Sequence, residues 1–260
     1  GRGGVRRDGH DGGRLRAAPH RRVRSASMTT AKPTLVLLVR HGVTPTTGQV
    51  LPGRAPGLHL SDAGRAQAEK AAKRLAALPL AALYTSPLER ARETAAPTAQ
   101  RSGLEPIVDE GLLECDFGDW TGGSLAELAK LPEWDAVQKT PSQFRFPGGE
   151  SFAEMQDRIV GALARIRDAH PGQVVACFSH ADPIKAALAD ALATPLDAFQ
   201  RLWVDPASVS AIAYAADGTV GVLRTNSTAG TLRGLLPPDA AGQPDAQPTP
   251  EASEASEASA

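Results

Sequence analysis

The chain has 260 residues, 42% of them hydrophobic and only 4% aromatic, a length that can bury one sizeable core and excludes a small disulfide-stapled module. Its 28 basic and 29 acidic side chains nearly cancel, and the formal charge of -1 argues against a broad basic surface for nucleic acid or an anionic membrane. Two distant cysteines, Cys115 and Cys177, show neither a CxxC nor a zinc-ligand spacing, which points to a reducing, cytoplasmic setting.

Residues 1–27 hold eight arginines against Asp8 and Asp11, with no apolar stretch for a secretory signal and no helical period. This basic leader is expected to be disordered and to stand ahead of the fold, with Met28 directly preceding the first foldable stretch; an organelle-targeting role is the lesser reading. From 237 to 260 there are five acids and no base, ending in an EAS repeat, a composition expected to stay disordered. The domain is therefore expected to occupy 28–236.

Within it, short apolar runs alternate with helical periods, the pattern of an α/β fold. Residues 35–39 (LVLLV) and 174–178 (VVACF) are apolar without alternation, as strands covered on both faces should be. Between them the pattern predicts a helix over 62–78, a short strand over 82–85, and a second helix over 87–101 opened by Pro87 after a capping Ser86. The stretch 111–149, broken by Pro132, Pro141 and Pro147, reads as an insertion or lid. An amphipathic helix follows over 151–169, with Phe152, Met155, Ile159, Leu163 and Ile166 on one face. Asp182 and Pro183 open another helix, with Asp182 favoured as its cap, and 208–215 with 220–223 form a hairpin about Asp217 and Gly218.

Two of the buried strands run into histidines. Arg40, His41 and Gly42 end the first, while Ser179 and His180 follow VVACF, so both imidazoles should stand at strand carboxyl ends, where open parallel sheets bind ligands. Arg90 falls in the first turn of its helix, where free N–H groups already favour an anion. Arg92, about 200° further round, should face elsewhere. No HExxH, P-loop or strand-flanked GxGxxG is present, so neither a metal nor a nucleotide cofactor is expected.

Four ordered motifs carry a resemblance: RHG at 40–42, TSPLERARETA at 85–95, LLECDFGDW at 112–120 with Gly122 beyond it, and SH at 179–180. Together they resemble the histidine phosphatase, or phosphoglycerate mutase-like, superfamily over roughly residues 34–225. That resemblance implies a three-layer α/β sandwich with a mostly parallel central sheet flanked by helices. It implies His41 as nucleophile, Arg40, Arg90 and His180 as the phosphate pocket, and Glu114 as the general acid. Asp182 is a rival donor, although Ala181 separates it from His180.

The chemistry suits these residue types. A phosphoryl group spreads charge over three oxygens, so catalysis rests on positioning it and stabilising that charge during in-line attack. Thr47 stands where many relatives carry an asparagine, and Arg54 is a candidate substrate-side arginine at a shifted spacing. Arg145, before the PGGE turn, reads equally as an anion contact or as a surface charge. The expected activity is metal-independent hydrolysis of a small phosphorylated metabolite through a phosphohistidine. A phosphomutase of the phosphoglycerate mutase type is the runner-up, and a non-catalytic phosphometabolite-binding protein is the alternative of another class.

Overall fold

The structure, a computed structural model, describes residues 31–236 and the isolated Gly1. The expectations for the leader at 1–27 and the tail at 237–260 thus lie outside the described residues, Gly1 apart. In chain order the elements are β1 (Thr34–Arg40), α1 (Asp62–Leu75), β2 (Leu80–Thr85), α2 (Glu89–Ser102), β3 (Pro106–Val108), α3 (Leu125–Leu128), α4 (Trp134–Lys139), α5 (Phe152–Ala169), β4 (Val174–Ser179), α6 (Ala181–Ala191), β5 (Val209–Tyr214) and β6 (Val220–Ser227). The six strands form one sheet in the order β3-β2-β4-β1-β5-β6. The pairs β1/β4, β2/β4 and β2/β3 are parallel, while β5 and β6 are antiparallel additions at one edge.

Both sheet faces are covered, which is why the central strands read as unbroken apolar runs. Along β1, Leu35, Leu37 and Val39 pack with Leu75 of α1 and Ala95 of α2, while Val36 and Leu38 face Met155, Ile159 and Ile184 on α5 and α6. This is the three-layer sandwich with a mostly parallel sheet that the motifs imply. No helix among the described residues is long and apolar enough to cross a membrane.

Two helix starts differ from the sequence expectation. Leu88, not Ser86, caps α2, and Pro87 lies ahead of the helix. His180, not Asp182, caps α6, because β4 passes into the helix with a single intervening residue and leaves Asp182 in its first turn. The first helix also stops at Leu75, three residues early, before the turn that leads into β2.

The 111–149 stretch is packed rather than loose. Its Phe117, Trp120, Trp134, Phe144 and Phe146 form a continuous aromatic cluster with Phe152 and Phe199, with ring centroids 4.8–6.3 Å apart. Seven of the eleven aromatic residues in the chain are spent here, on the α5 side of the sheet. Two glycines let this segment fold back on itself. A Cβ on Gly149 would lie 2.3 Å from Asp116 O, and Gly118 has φ +50° with the Pro147 carbonyl pressed against it.

Candidate active site

The register of the two central strands builds the site. Arg40 pairs with Ser179 across β1 and β4, so His41 and His180, the next residues on each strand, emerge side by side, and the His41 N–H donates to Ser179 O at 3.0 Å. Their rings lie 5.2 Å apart between centroids. Gly42 turns the chain away beneath α1, where a Cβ would meet Gly64 O at 2.6 Å.

His41 is buried, and its Nδ1 lies 2.7 Å from Gly42 O. A carbonyl can only accept, so the ring hydrogen sits on Nδ1 and the lone pair on Nε2. Burial, followed by the charges of Arg90 and Arg40, pushes this imidazole down to about 3 against the Gly42 bond. His180 is held well below its usual value by burial, then by Arg90 and His41. Both rings are therefore neutral near pH 7.

Two arginines flank the pair. Arg90, on the first turn of α2, is wholly buried, with Nη2 donating to Gly53 O at 2.8 Å. Arg40 donates from Nη1 to Val204 O at 2.7 Å. Arg90 Nε and Nη1, Arg40 Nε and His180 Nδ1 are all buried with no hydrogen-bond partner among the described residues. Three buried guanidinium N–H groups without partners are costly unless an anion satisfies them. Arg92, by contrast, is exposed on the far side of α2, as the helical rotation requires.

Glu114 is buried and lines the same cavity of about 270 Å³ as Arg40, His41 and Thr47. Burial first, then the neighbouring Asp182, push its carboxyl up to about 7 against the charges of Arg90 and Arg40. A carboxyl raised in this way keeps its proton to higher pH than a free one.

A network that the sequence did not reveal holds the Glu114 loop. Arg158 of α5 donates from Nη1 to the carbonyls of Gly111 at 3.0 Å and Leu113 at 2.9 Å, and from Nη2 to that of Glu114 at 3.2 Å. It also grips Glu150 through Nε at 2.7 Å and Nη2 at 2.9 Å. Arg54 completes the knot, pairing with Glu150 at 2.9 Å and donating from Nε to Glu114 O at 2.9 Å. Burial opposes the Glu150 charge, yet Arg158 still holds that carboxyl below its usual range.

Arg54 thus lies in ion pairs with Glu150 and Asp116 and bonds a carbonyl through Nε, while its buried Nη2 makes no hydrogen bond among the described residues. Thr47 lines the cavity while its hydroxyl accepts the Thr44 N–H at 2.8 Å. Arg145 is exposed and paired with Glu154, the residue that completes the capping box of α5. Ser86, overridden as a cap, lies 2.8 Å from His180 Nε2. Among the described residues no three His, Cys, Asp or Glu side chains gather as a metal site.

The family model of the histidine phosphatase superfamily (branch 1) matches residues 36–227. The chain belongs to that superfamily. It is 38% identical over 200 residues to the bifunctional protein Rv2228c of Mycobacterium tuberculosis, covering 75% of this chain and 54% of that one, so it spans about half the length of this relative. It is 35% identical over 165 residues to phosphoserine phosphatase 1 of Hydrogenobacter thermophilus, covering 62% of this chain and 78% of that one. Its fold is shared by a mycobacterial glucosyl-3-phosphoglycerate phosphatase, with a TM-score of 0.69 at 24% identity over 75% of this chain and all of that one.

Proposed function

We propose that this histidine phosphatase domain hydrolyses small phosphomonoesters through a phosphohistidine on His41, without a metal cofactor. The observation that carries this reading is the set of unpaired buried donors on Arg40 and Arg90, three in all, with the equally unpaired Nδ1 of His180. A phosphoryl group brings three oxygens to those donors, with phosphorus held before His41 Nε2.

His41 Nε2 attacks phosphorus, the bond to the ester oxygen breaks, and the departing alkoxide takes the Glu114 proton. Water then attacks the phosphohistidine, gives its proton to the Glu114 carboxylate, and phosphate leaves with His41 restored. His180 serves as a neutral donor through Nδ1 when the Ser86 hydroxyl donates to its Nε2. Arg54 and Arg158 act by holding the loop that presents Glu114. Thr47 borders the substrate and is a secondary contact.

Phosphate release from a phosphomonoester panel in EDTA, by the full chain and by His41→Ala, tests the reading. Release that persists in His41→Ala overturns the nucleophile, and release lost to EDTA overturns the metal-independent route. Isomerised product without free phosphate would assign a phosphomutase instead.

A further inference from the structure

The cavity before His41 also carries apolar lining. Leu51, Leu125, Trp134 and Val137 contribute to its wall together with Arg40, His41 and Glu114. These residues come from separate stretches, yet the stretches are stitched together. Leu51 N–H donates to Gly123 O at 2.9 Å, Gly122 N–H to Leu51 O at 2.8 Å, and Leu125 N–H to Gln49 O at 2.9 Å. Trp134 is fixed by stacking on Trp120, at 6.2 Å between centroids with planes 21° apart. A preformed apolar wall loses little freedom when a ligand enters, so its contacts favour binding.

The remaining charges in the cavity wall are already matched. Apart from Arg40, His41 and Glu114, the only ionisable residues lining the cavity among those described are Asp182 and Lys185. Lys185 Nζ lies 3.3 Å from Asp182 Oδ1 and 3.1 Å from Gln200 Oε1, and sits 6.0 Å above the Phe199 ring. The two side chains are only 18% and 19% exposed, so a substrate carboxylate that drew Lys185 away would leave Asp182 charged in a poorly hydrated pocket. Arg54, the other cation nearby, is held by Glu150 and Asp116.

We infer that the site selects monophosphates of neutral alcohols with an apolar face, alkyl or aryl, over phosphorylated hydroxy acids, whose carboxylate needs a cation of its own. This inference rests on the phosphatase reading above. The cavity of about 270 Å³ has room to enclose a small alcohol.

The test compares n-butyl phosphate with the phosphate ester of 4-hydroxybutanoate, two substrates with the same chain and similar leaving groups that differ in the terminal carboxylate. The full chain is expected to favour butyl phosphate by at least about tenfold in kcat/KM. Trp134→Ala should lose more on butyl than on methyl phosphate, while Trp134→Phe keeps most of the preference. Gln138→Lys, which adds a cation at the exposed rim of the cavity, should narrow the gap between the two substrates. Hydrolysis of both at equal rates, or a preference for the acid, overturns the inference and leaves the phosphatase reading standing. Hydrolysis of none of the three esters overturns that reading and this inference with it.

Discussion

The Nδ1 of His41 donates to the carbonyl of its own neighbour Gly42 at 2.7 Å, and that bond decides which nitrogen can react. With Nδ1 occupied, any phosphoryl group carried by His41 must sit on Nε2. An enzyme quenched during turnover should yield an acid-labile phosphohistidine whose phosphorus couples, in nuclear magnetic resonance spectra, as an Nε2 adduct. An Nδ1 adduct would contradict the tautomer. His41→Ala should lose at least about 10⁴-fold in kcat, because no neighbouring group replaces the nucleophile.

Glu114 and His41 set opposite pH limits. A general acid works while protonated, so kcat/KM for alkyl esters should fall as pH rises through about 7, while the His41 limb lies down at about 3. Glu114→Gln should slow alkyl esters by about 10²-fold and aryl esters far less, since aryl leaving groups need little protonation. The same group couples to stability. Its folded value stands above its usual 4.5, so the stability it contributes is present below that value and lost as pH rises through about 7. Thermal melts at pH 5 and pH 8 should therefore differ less in Glu114→Gln than in the parent.

Ser86 and His180 lie 94 positions apart in sequence, yet their 2.8 Å bond orients the second imidazole. Ser86→Ala leaves a buried ring nitrogen without a partner and releases the tautomer. A fall in kcat of about 10-fold to 100-fold is expected, together with a loss of about 1–3 kcal/mol in stability from the unsatisfied nitrogen. Ser86→Thr, which keeps the hydroxyl, should recover part of it; equal losses in both variants would argue that Ser86 only fills space.

The parts of this protein that were legible in sequence are those written in local patterns. The runs LVLLV and VVACF gave two doubly covered strands, and each ran straight into its histidine. What stayed hidden depends on distance in sequence. Ser86 precedes a proline and so carries every local mark of a helix cap, but the contact with His180 recruits its hydroxyl instead. Arg158 sits on an amphipathic helix beside Ile159, where period alone cannot separate a solvated arginine from one gripping three carbonyls. The aromatic residues of 111–149 follow no helical or strand period, because they are spaced to meet one another across turns rather than along one element.

The Arg158–Glu150 pair is mostly buried, and each partner also bonds backbone of the Glu114 loop. Removing one side leaves the other charged and poorly hydrated. Arg158→Ala should lower unfolding stability by about 3 kcal/mol in urea titrations and reduce kcat as Glu114 drifts. Arg158→Lys should restore little of either, since an ammonium cannot hold a carboxylate in two places while reaching three carbonyls. Full rescue by lysine would show that only the charge matters.

Gly64 lies in the first turn of α1, pressed against the loop that follows His41, and a Cβ there would fall 2.1 Å from Val43 O. Replacing a helical glycine by alanine ordinarily gains up to about 1 kcal/mol. Here the sign should reverse, with a loss of about 1–3 kcal/mol, because backbone rather than a flexible side chain must yield. Activity should fall with it, since Val43 continues the turn that aims His41. Gly161→Ala in α5 is the control, where the new methyl would meet only Arg165 Nη1 at 3.9 Å. It should stabilise the protein by the ordinary amount and leave turnover intact. Equal melting shifts in the two variants would mean that α1 does not brace the nucleophile loop.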